Sequence, residues 1–160
     1  MWSYDERQRV LKLLHKQLGK PYAIGSKVDG KWVVQGKPQI TDTDPKDFDC
    51  SGFSRWAIAQ GLCQCGNRIV LPHGTKFQIK KCSPLTTEAP RPLDLGFGDM
   101  DCKDGVDHVI VRFSSLLVIE ARGPQEGRDY GKVILRPVSA WEKYKGFMGW
   151  WRVPGIYDCA

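Results

Sequence analysis

Apolar residues near the start of the chain recur at helical spacing. Leu11, Leu14 and Leu18 fall on one face. Ser3 and Glu6 in "SYDE" stand at capping-box spacing, which predicts a helix from Ser3. Gly19 followed by Pro21 ends it. "VDGKWVV" predicts a short hairpin around Asp29–Gly30, and "TDTDPKDFD" an acidic loop. A second helical stretch runs from Ser51 to Gln60 with Phe53, Trp56, Ala57 and Ala59 along it, and Gly61 stops it. From Gly61 to Leu95 the pattern is loop-like with short pieces. The period then changes: "HVIVRF", "LLVIEA" and "KVILRPV" are β-rich runs, and "WEKYKGFMGWWRVP" supplies a last strand and aromatic packing. Helices first and antiparallel strands after predict an α+β fold, not the alternation of a parallel sheet.

The chain has 160 residues, which suits one domain over 1–160 with one good core. Hydrophobic residues make up 41% and charged residues 26%, too balanced for a disordered chain. The net charge of +6 favours an anionic partner or simply solubility. There is no dense Lys/Arg run and no nucleic-acid motif, so no nucleic acid is expected. The opening "MWSYDERQRVLKLL" is charged throughout and does not read as a signal peptide. No segment approaches the ~18 apolar residues of a spanning helix. The expectation is synthesis in the cytoplasm, no membrane insertion, and delivery by another agent if the target lies outside.

The stretch "DFDCSGFSRW" places Cys50 where the second helix begins. Unpaired backbone N–H groups and the positive end of the helix dipole stabilise a thiolate there. The same N–H groups suit a developing oxyanion, and Gly52 leaves room for a substrate. A buried structural thiol is the plainer alternative. A nucleophilic cysteine needs a base, and the base an orienting group. Of three histidines, His15 lies on the first helix and His73 in the loop "LPHGT". His108 opens a strand, which holds a side chain more rigidly than a loop. Glu120 is a carboxylate inside the apolar run of the next strand, where it either orients His108 or pairs with Arg112 or Arg122 on the surface. A hairpin brings His108 and Glu120 to one face when its loop has an odd number of residues, three or five, so that the two oppose each other directly.

Six cysteines are present, with no secreted framework. Cys63, Cys65, His73 and Cys82 could be imagined as a zinc module, but C-x-C is poor spacing, and no metal is expected.

These pieces resemble, in order, the NlpC family of cell-wall cysteine peptidases. "LGKPYAIG" is similar to the Gly-x-Pro-Tyr stretch after the first helix, "DCSGFSRW" to the nucleophile helix and "LPHGTKFQ" to the Leu-Pro-x-x-(Ser/Thr)-x-x-Gln loop. "LGFGDM" resembles the Pro-Gly-Asp-Leu turn before the sheet. "DHVIVRF…VIEA" resembles the His-Val hairpin, in which the third polar residue follows twelve positions after the histidine, as Glu120 follows His108. The resemblance covers roughly residues 18–122. It implies a papain-like α+β core, with Cys50 as nucleophile, His108 as base and later acid, and Glu120 holding the imidazole. It also implies that Tyr22 lines the site and that Asp49 and Ser51 lie near the substrate's amine. No cofactor is implied.

The sequence departs from the family at three places. The third residue is most often His, Asn or Gln rather than Glu. A carboxylate can still orient an imidazole, and it would raise the His108 pKa. Ile110 replaces a common Gly, which predicts a narrower cleft. The lead-in from Val28 to Phe48 is long and could form a wall of the site. Trp150, Trp151 and Tyr157 are expected in core and strand packing, with a glycan or peptide platform as the alternative.

The expected function is a peptidoglycan endopeptidase cutting the γ-D-glutamyl–diaminopimelate bond of the stem peptide as a monomer. It would act in the periplasm or cell wall after delivery by a phage or a secretion system, where an inhibitor or immunity protein could meet it. The alternatives are an N-acetylmuramoyl-L-alanine amidase and a non-catalytic wall-binding or phage tail protein. A related lipid acyltransferase usually has His before Cys, the reverse of the order here.

Overall fold

The computed structural model describes residues 1–26, 33–34, 37–38, 45–61, 66, 69–103 and 105–157. Helix α1 (Tyr4–His15) precedes two short strands, β1 (Val33–Val34) and β2 (Lys37–Pro38). Helix α2 is Cys50–Ala59, and α3 (Thr75–Gln78) runs into a 3-10 turn (Ile79–Lys81). Strands β3 (Ser83–Pro84), β4 (Leu95–Gly98), β5 (His108–Arg112), β6 (Leu117–Arg122) and β7 (Lys132–Pro137) follow. Helix α4 (Val138–Glu142) and β8 (Phe147–Arg152) complete the order. Strands β3 to β8 form one antiparallel sheet in the order β3-β8-β4-β5-β6-β7. The architecture is α+β, as the order of patterns predicts. The expected turn at Asp29–Gly30 lies outside the described residues, while β1 pairs antiparallel with β2 just beyond it. Among the described residues, no helix is long and apolar enough to cross a membrane.

Local chemistry sets the helix starts. The Ser3 Oγ accepts the Glu6 N–H at 3.1 Å, satisfying one orphan donor of α1. Asp49 does the same for α2, its carboxylate accepting from the Gly52 N–H. Helix α2 is buried almost all round. Phe53 and Trp56 pack edge-on to Phe48, with ring centroids 5.1 and 5.5 Å apart. Each such fully buried aromatic contributes roughly 1.5–3 kcal/mol of apolar burial. This cluster fixes residues 48–50 against the sheet.

The sheet has two covered faces. Val109, Val111, Ile119 and Ala121 point to the main core with α1 and α2. Ile110 and Val118 point the other way, to a smaller core with Val138 and Trp141 of α4 and with Trp150. Strand β4 lies between β5 and β8. A Cβ at Gly96 would sit 2.7 Å from Ile110 Cγ1, so glycine is needed there for Ile110 to lie over the strand. Ile110 is therefore committed to the smaller core and does not narrow the cleft described below. Trp150 is buried, Trp151 packs on the main core, and the Tyr157 hydroxyl donates to the Pro92 carbonyl at 2.5 Å. All three serve packing.

The two ends of the fold meet. Trp2 is fully buried, its N–H donates to the Ile156 carbonyl at 3.1 Å, and its indole fills the space where a Cβ on Gly61 would sit.

Candidate active site

Cys50 is the first residue of α2 and is 9% exposed. Its thiol contacts the Asp107 carbonyl at 3.8 Å, which places it at the start of β5. There the Cys50 side chain is near enough to His108 to act on its protonation. On its other side, His108 Nε2 lies 2.6 Å from Glu120 Oε2, leaving Nδ1 as the nitrogen for the thiol. The structure thus brings Cys50, His108 and Glu120 into one chain of contacts.

The hairpin that does this differs slightly from the expected one. Val111 pairs with Ile119 and Arg112 with Val118, so residues 113–117 make the connection, an odd number. Phe113 and Ser114 both donate to the Leu117 carbonyl, which shifts the centre of the turn by one residue. Continued, this register sets Glu120 across from Ile110. Glu120 therefore reaches His108 diagonally on the shared face instead of from the directly opposed position.

Glu120 is fully buried; of the two partners considered for it as a surface residue, Arg122 does pair with it, but in the interior and beside the contact with His108. Besides His108 it accepts the Trp141 indole N–H at 2.9 Å, and the guanidiniums of Arg136 and Arg122 lie 3.4 and 3.5 Å away. Trp141 also stacks on His108, with centroids 5.3 Å apart and planes 5° from parallel. Sequence reading did not find Trp141 or Arg136. Trp141 belongs to a five-residue helix inside what reads as strand, and its part in the site becomes visible only once β6, β7 and α4 are adjacent.

The electrostatics follow from these contacts. Burial opposes charge on His108, but the interactions with Cys50 and Glu120 and their charges outweigh it, raising its pKa to about 9. Burial opposes charge on Glu120 too. The bond and charge of His108, the charge of Arg122 and the Trp141 N–H outweigh that and hold it below the usual carboxylate value. Tyr22 is held beside the thiol by backbone bonds, its N–H donating to the Gly131 carbonyl at 2.8 Å and its residue bridging to Phe48. Burial, then the charges of Cys50, Asp49 and Asp107, push its phenol up to about 12, so it remains a hydrogen-bond donor.

Asp49 and Ser51 are buried and serve the local structure. Ser51 Oγ donates to Asp49 at 3.2 Å and accepts the Gly74 N–H at 3.2 Å. Gln78, fully buried, donates to the Ser51 and Pro72 carbonyls at 2.8 and 3.0 Å and accepts from Ser54 at 2.7 Å. It ties the "LPHGTKFQ" loop to the start of α2. His73 lies on that loop, with Nε2 3.3 Å from the Ser26 carbonyl and 3.9 Å from Asp49.

Of the four zinc candidates, Cys63 and Cys65 lie outside the described residues. Cys82 is buried, and burial followed by the Asp94 charge pushes its thiol up to about 12. Among the described residues, one group of carboxylates could hold a metal: Asp99, Asp101 and Asp107. They accept N–H groups of their own loop, from Met100, Lys103 and Gly105.

A cleft of about 550 Å³ opens beside the imidazole, lined by Tyr22, Asp107, His108, Arg122, Gly123 and Tyr144 among others.

No protein-family model and no curated protein matches the chain. Solved structures do. The chain is similar to a Staphylococcus aureus protein described as similar to lipoprotein, NLP/P60 family, at 19% identity and TM-score 0.63; the match covers 95% of this chain but 42% of that one. The peptidoglycan hydrolase RipB of Mycobacterium tuberculosis matches at 22% identity and TM-score 0.55, covering 94% of this chain and 67% of that one. RipD of the same organism, described as a non-catalytic NlpC/p60 domain protein adapted to peptidoglycan binding, matches at 20% identity and TM-score 0.60, covering 92% and 95%. At these identities the likeness establishes the fold, and that fold is NlpC/P60.

Proposed function

We propose that the protein is a peptidoglycan hydrolase, a cysteine endopeptidase cleaving the γ-D-glutamyl–diaminopimelate bond of the stem peptide. The observation that carries this reading is the chain of contacts from Cys50 through His108 to the buried Glu120. The proposed reaction is acyl transfer. His108 holds the thiol proton, and Cys50 Sγ attacks the amide carbonyl. The oxyanion forms against the backbone N–H of Cys50 and the Tyr22 hydroxyl. His108 passes its proton to the leaving nitrogen, the C–N bond breaks and a thioester remains. Water, deprotonated by His108, attacks the thioester; the acid leaves and the thiol is restored. Glu120 fixes the imidazole by its bond to Nε2. Asp49 and Ser51, which flank Cys50 in the chain, belong to the same proposal as the groups near the substrate's free amine. The net charge of +6 suits an anionic wall. Delivery by a phage or a secretion system belongs to the same proposal.

A digest of diaminopimelate-type peptidoglycan by wild type and Cys50→Ala, read by mass spectrometry, tests the reading. Fragments with a new diaminopimelate amine, absent with the variant, are expected. Stem peptides starting at L-alanine would make the protein an amidase. The absence of wild-type cleavage, with wall binding retained, would favour the binding role described for RipD.

A further inference from the structure

We infer that Arg122 is the specificity determinant for the leaving residue, taking a free carboxylate on it. This rests on the endopeptidase reading. The cleft is lined by His108 and not by Asp49 or Ser51, so it lies on the imidazole side of the thiol. In acyl transfer the imidazole protonates the leaving amine, so the residue that departs occupies this cleft.

The cleft's charged lining, besides His108, is one cation and one anion: Arg122 and the exposed Asp107. Arg122 has charge to offer. Its polar contacts among the described residues, to Glu120 at 3.5 Å and to the Met100 sulfur at 3.6 Å, both use Nη1. Nε and Nη2 remain for a ligand. Glu120 is shared between Arg122 and Arg136, two guanidiniums on one carboxylate. The imidazolium is matched by the thiolate in the working pair, so the guanidiniums keep an excess of one positive charge. Arg122, Met100 and Tyr144 also line a small annexe of about 50 Å³ with Arg136, Ala140 and Trp141, which brings the second guanidinium beside the same spot. The Arg122 side chain is 12% exposed and its plane is held over the Tyr130 and Trp141 rings at 5.1 and 5.3 Å. A guanidinium fixed in this way is prepared for forked recognition of a carboxylate. The matching ligand is an amino-acid end group, its carboxylate on Arg122 and its ammonium facing Asp107. Diaminopimelate has such an end on its side chain, and lysine has only the ammonium.

The test compares kcat/KM on three synthetic stem tripeptides: one ending in diaminopimelate, one with its side-chain carboxylate as the carboxamide, and one ending in lysine. Wild type is expected to prefer the carboxylate by about 10- to 100-fold, the range of a charge-assisted hydrogen bond. Arg122→Gln should reduce that preference to near unity. Arg136→Gln, which touches Glu120 but does not line the cleft, should lower all three substrates together and reduce the ratio much less than Arg122→Gln does. A ratio unchanged in Arg122→Gln, or lost equally in Arg136→Gln, overturns the inference. Binding of the three peptides to Cys50→Ala by calorimetry decides independently of turnover. Tighter binding of the carboxylate form, lost on adding Arg122→Gln, upholds the inference. Equal binding, or none, overturns it. If wild type cleaves none of the peptides, the endopeptidase reading fails, and the binding arm alone decides the role of Arg122.

Discussion

Replacing Glu120 by glutamine changes one charge and almost no volume. His108 titrates at about 9 against an ordinary 6.5, although burial works against its cation. The contacts with Cys50 and Glu120 therefore outweigh burial by about 3 kcal/mol. In Glu120→Gln the carboxylate's attraction is gone, while burial and the two guanidiniums remain, and both disfavour an imidazolium. The His108 pKa is expected to fall by about 2 units or more, and cleavage by roughly 10²- to 10⁴-fold as the imidazole loses its orientation and charge partner. The assay is an NMR titration of the histidine ring protons, in which His15 and His73 serve as internal controls. Removing one partner of a buried charge cluster costs about 3–5 kcal/mol, so circular dichroism first checks the folded fraction. Trp141→Phe, measured alongside, keeps the ring and the charge but loses the N–H donor to Glu120; a smaller fall is expected. If His108 in folded Glu120→Gln titrates within about half a unit of wild type, Glu120 does not hold the imidazolium, and the orienting role assigned to it is wrong.

The same pair gives stability a pH profile. His108 is raised on folding, so its contribution is complete below about 6.5 and is lost as pH rises through about 9. Glu120 is lowered, so its contribution is present above its ordinary 4.5 and is lost as pH falls through its depressed value. Thermal melts should show a plateau between these limits and an alkaline decline that Glu120→Gln flattens. Gln78→Ala should cost roughly 1–3 kcal/mol in urea denaturation, because it removes the donor to the Pro72 carbonyl and two further buried bonds, leaving Ser54 and the Ser51 carbonyl only each other. Gly96→Ala should cost about 1–3 kcal/mol in the same assay, because the new methyl meets Ile110 and Phe147 at 2.7–3.0 Å.

The sequence shows most of the helices and strands because their signals are local. Ser3 caps α1 and the β-branched runs become β5, β6 and β7, but α1 stops at His15 and a turn over 16–19 carries the chain to Gly19, so the helix ends four residues before the expected stop. Strand β4 is not visible, because "LGFG" is half glycine and reads as a turn. It becomes a strand because Gly96 is the residue that leaves room for Ile110. The site is legible in the same uneven way. Cys50, His108 and Glu120 announce themselves by residue type and spacing. Trp141 and Arg136 act only through adjacency in space, and "WEK" on a short helix carries no local mark of that. The exact register of the β5–β6 hairpin also escapes a sequence argument. Parity can be reasoned, but the doubled hydrogen bond to the Leu117 carbonyl depends on the turn's own geometry.

The meeting of the two chain ends at Trp2 and Ile156 has a topological consequence. A linker could join them, and new ends could be opened at the exposed turn around Thr86 and Thr87. In such a circular permutant β4 to β8 would precede α1 and α2, and His108 would come before Cys50 along the chain, with every contact of the site unchanged. The order nucleophile-then-base is therefore a property of where the loop of chain was cut, not of the geometry that does the chemistry.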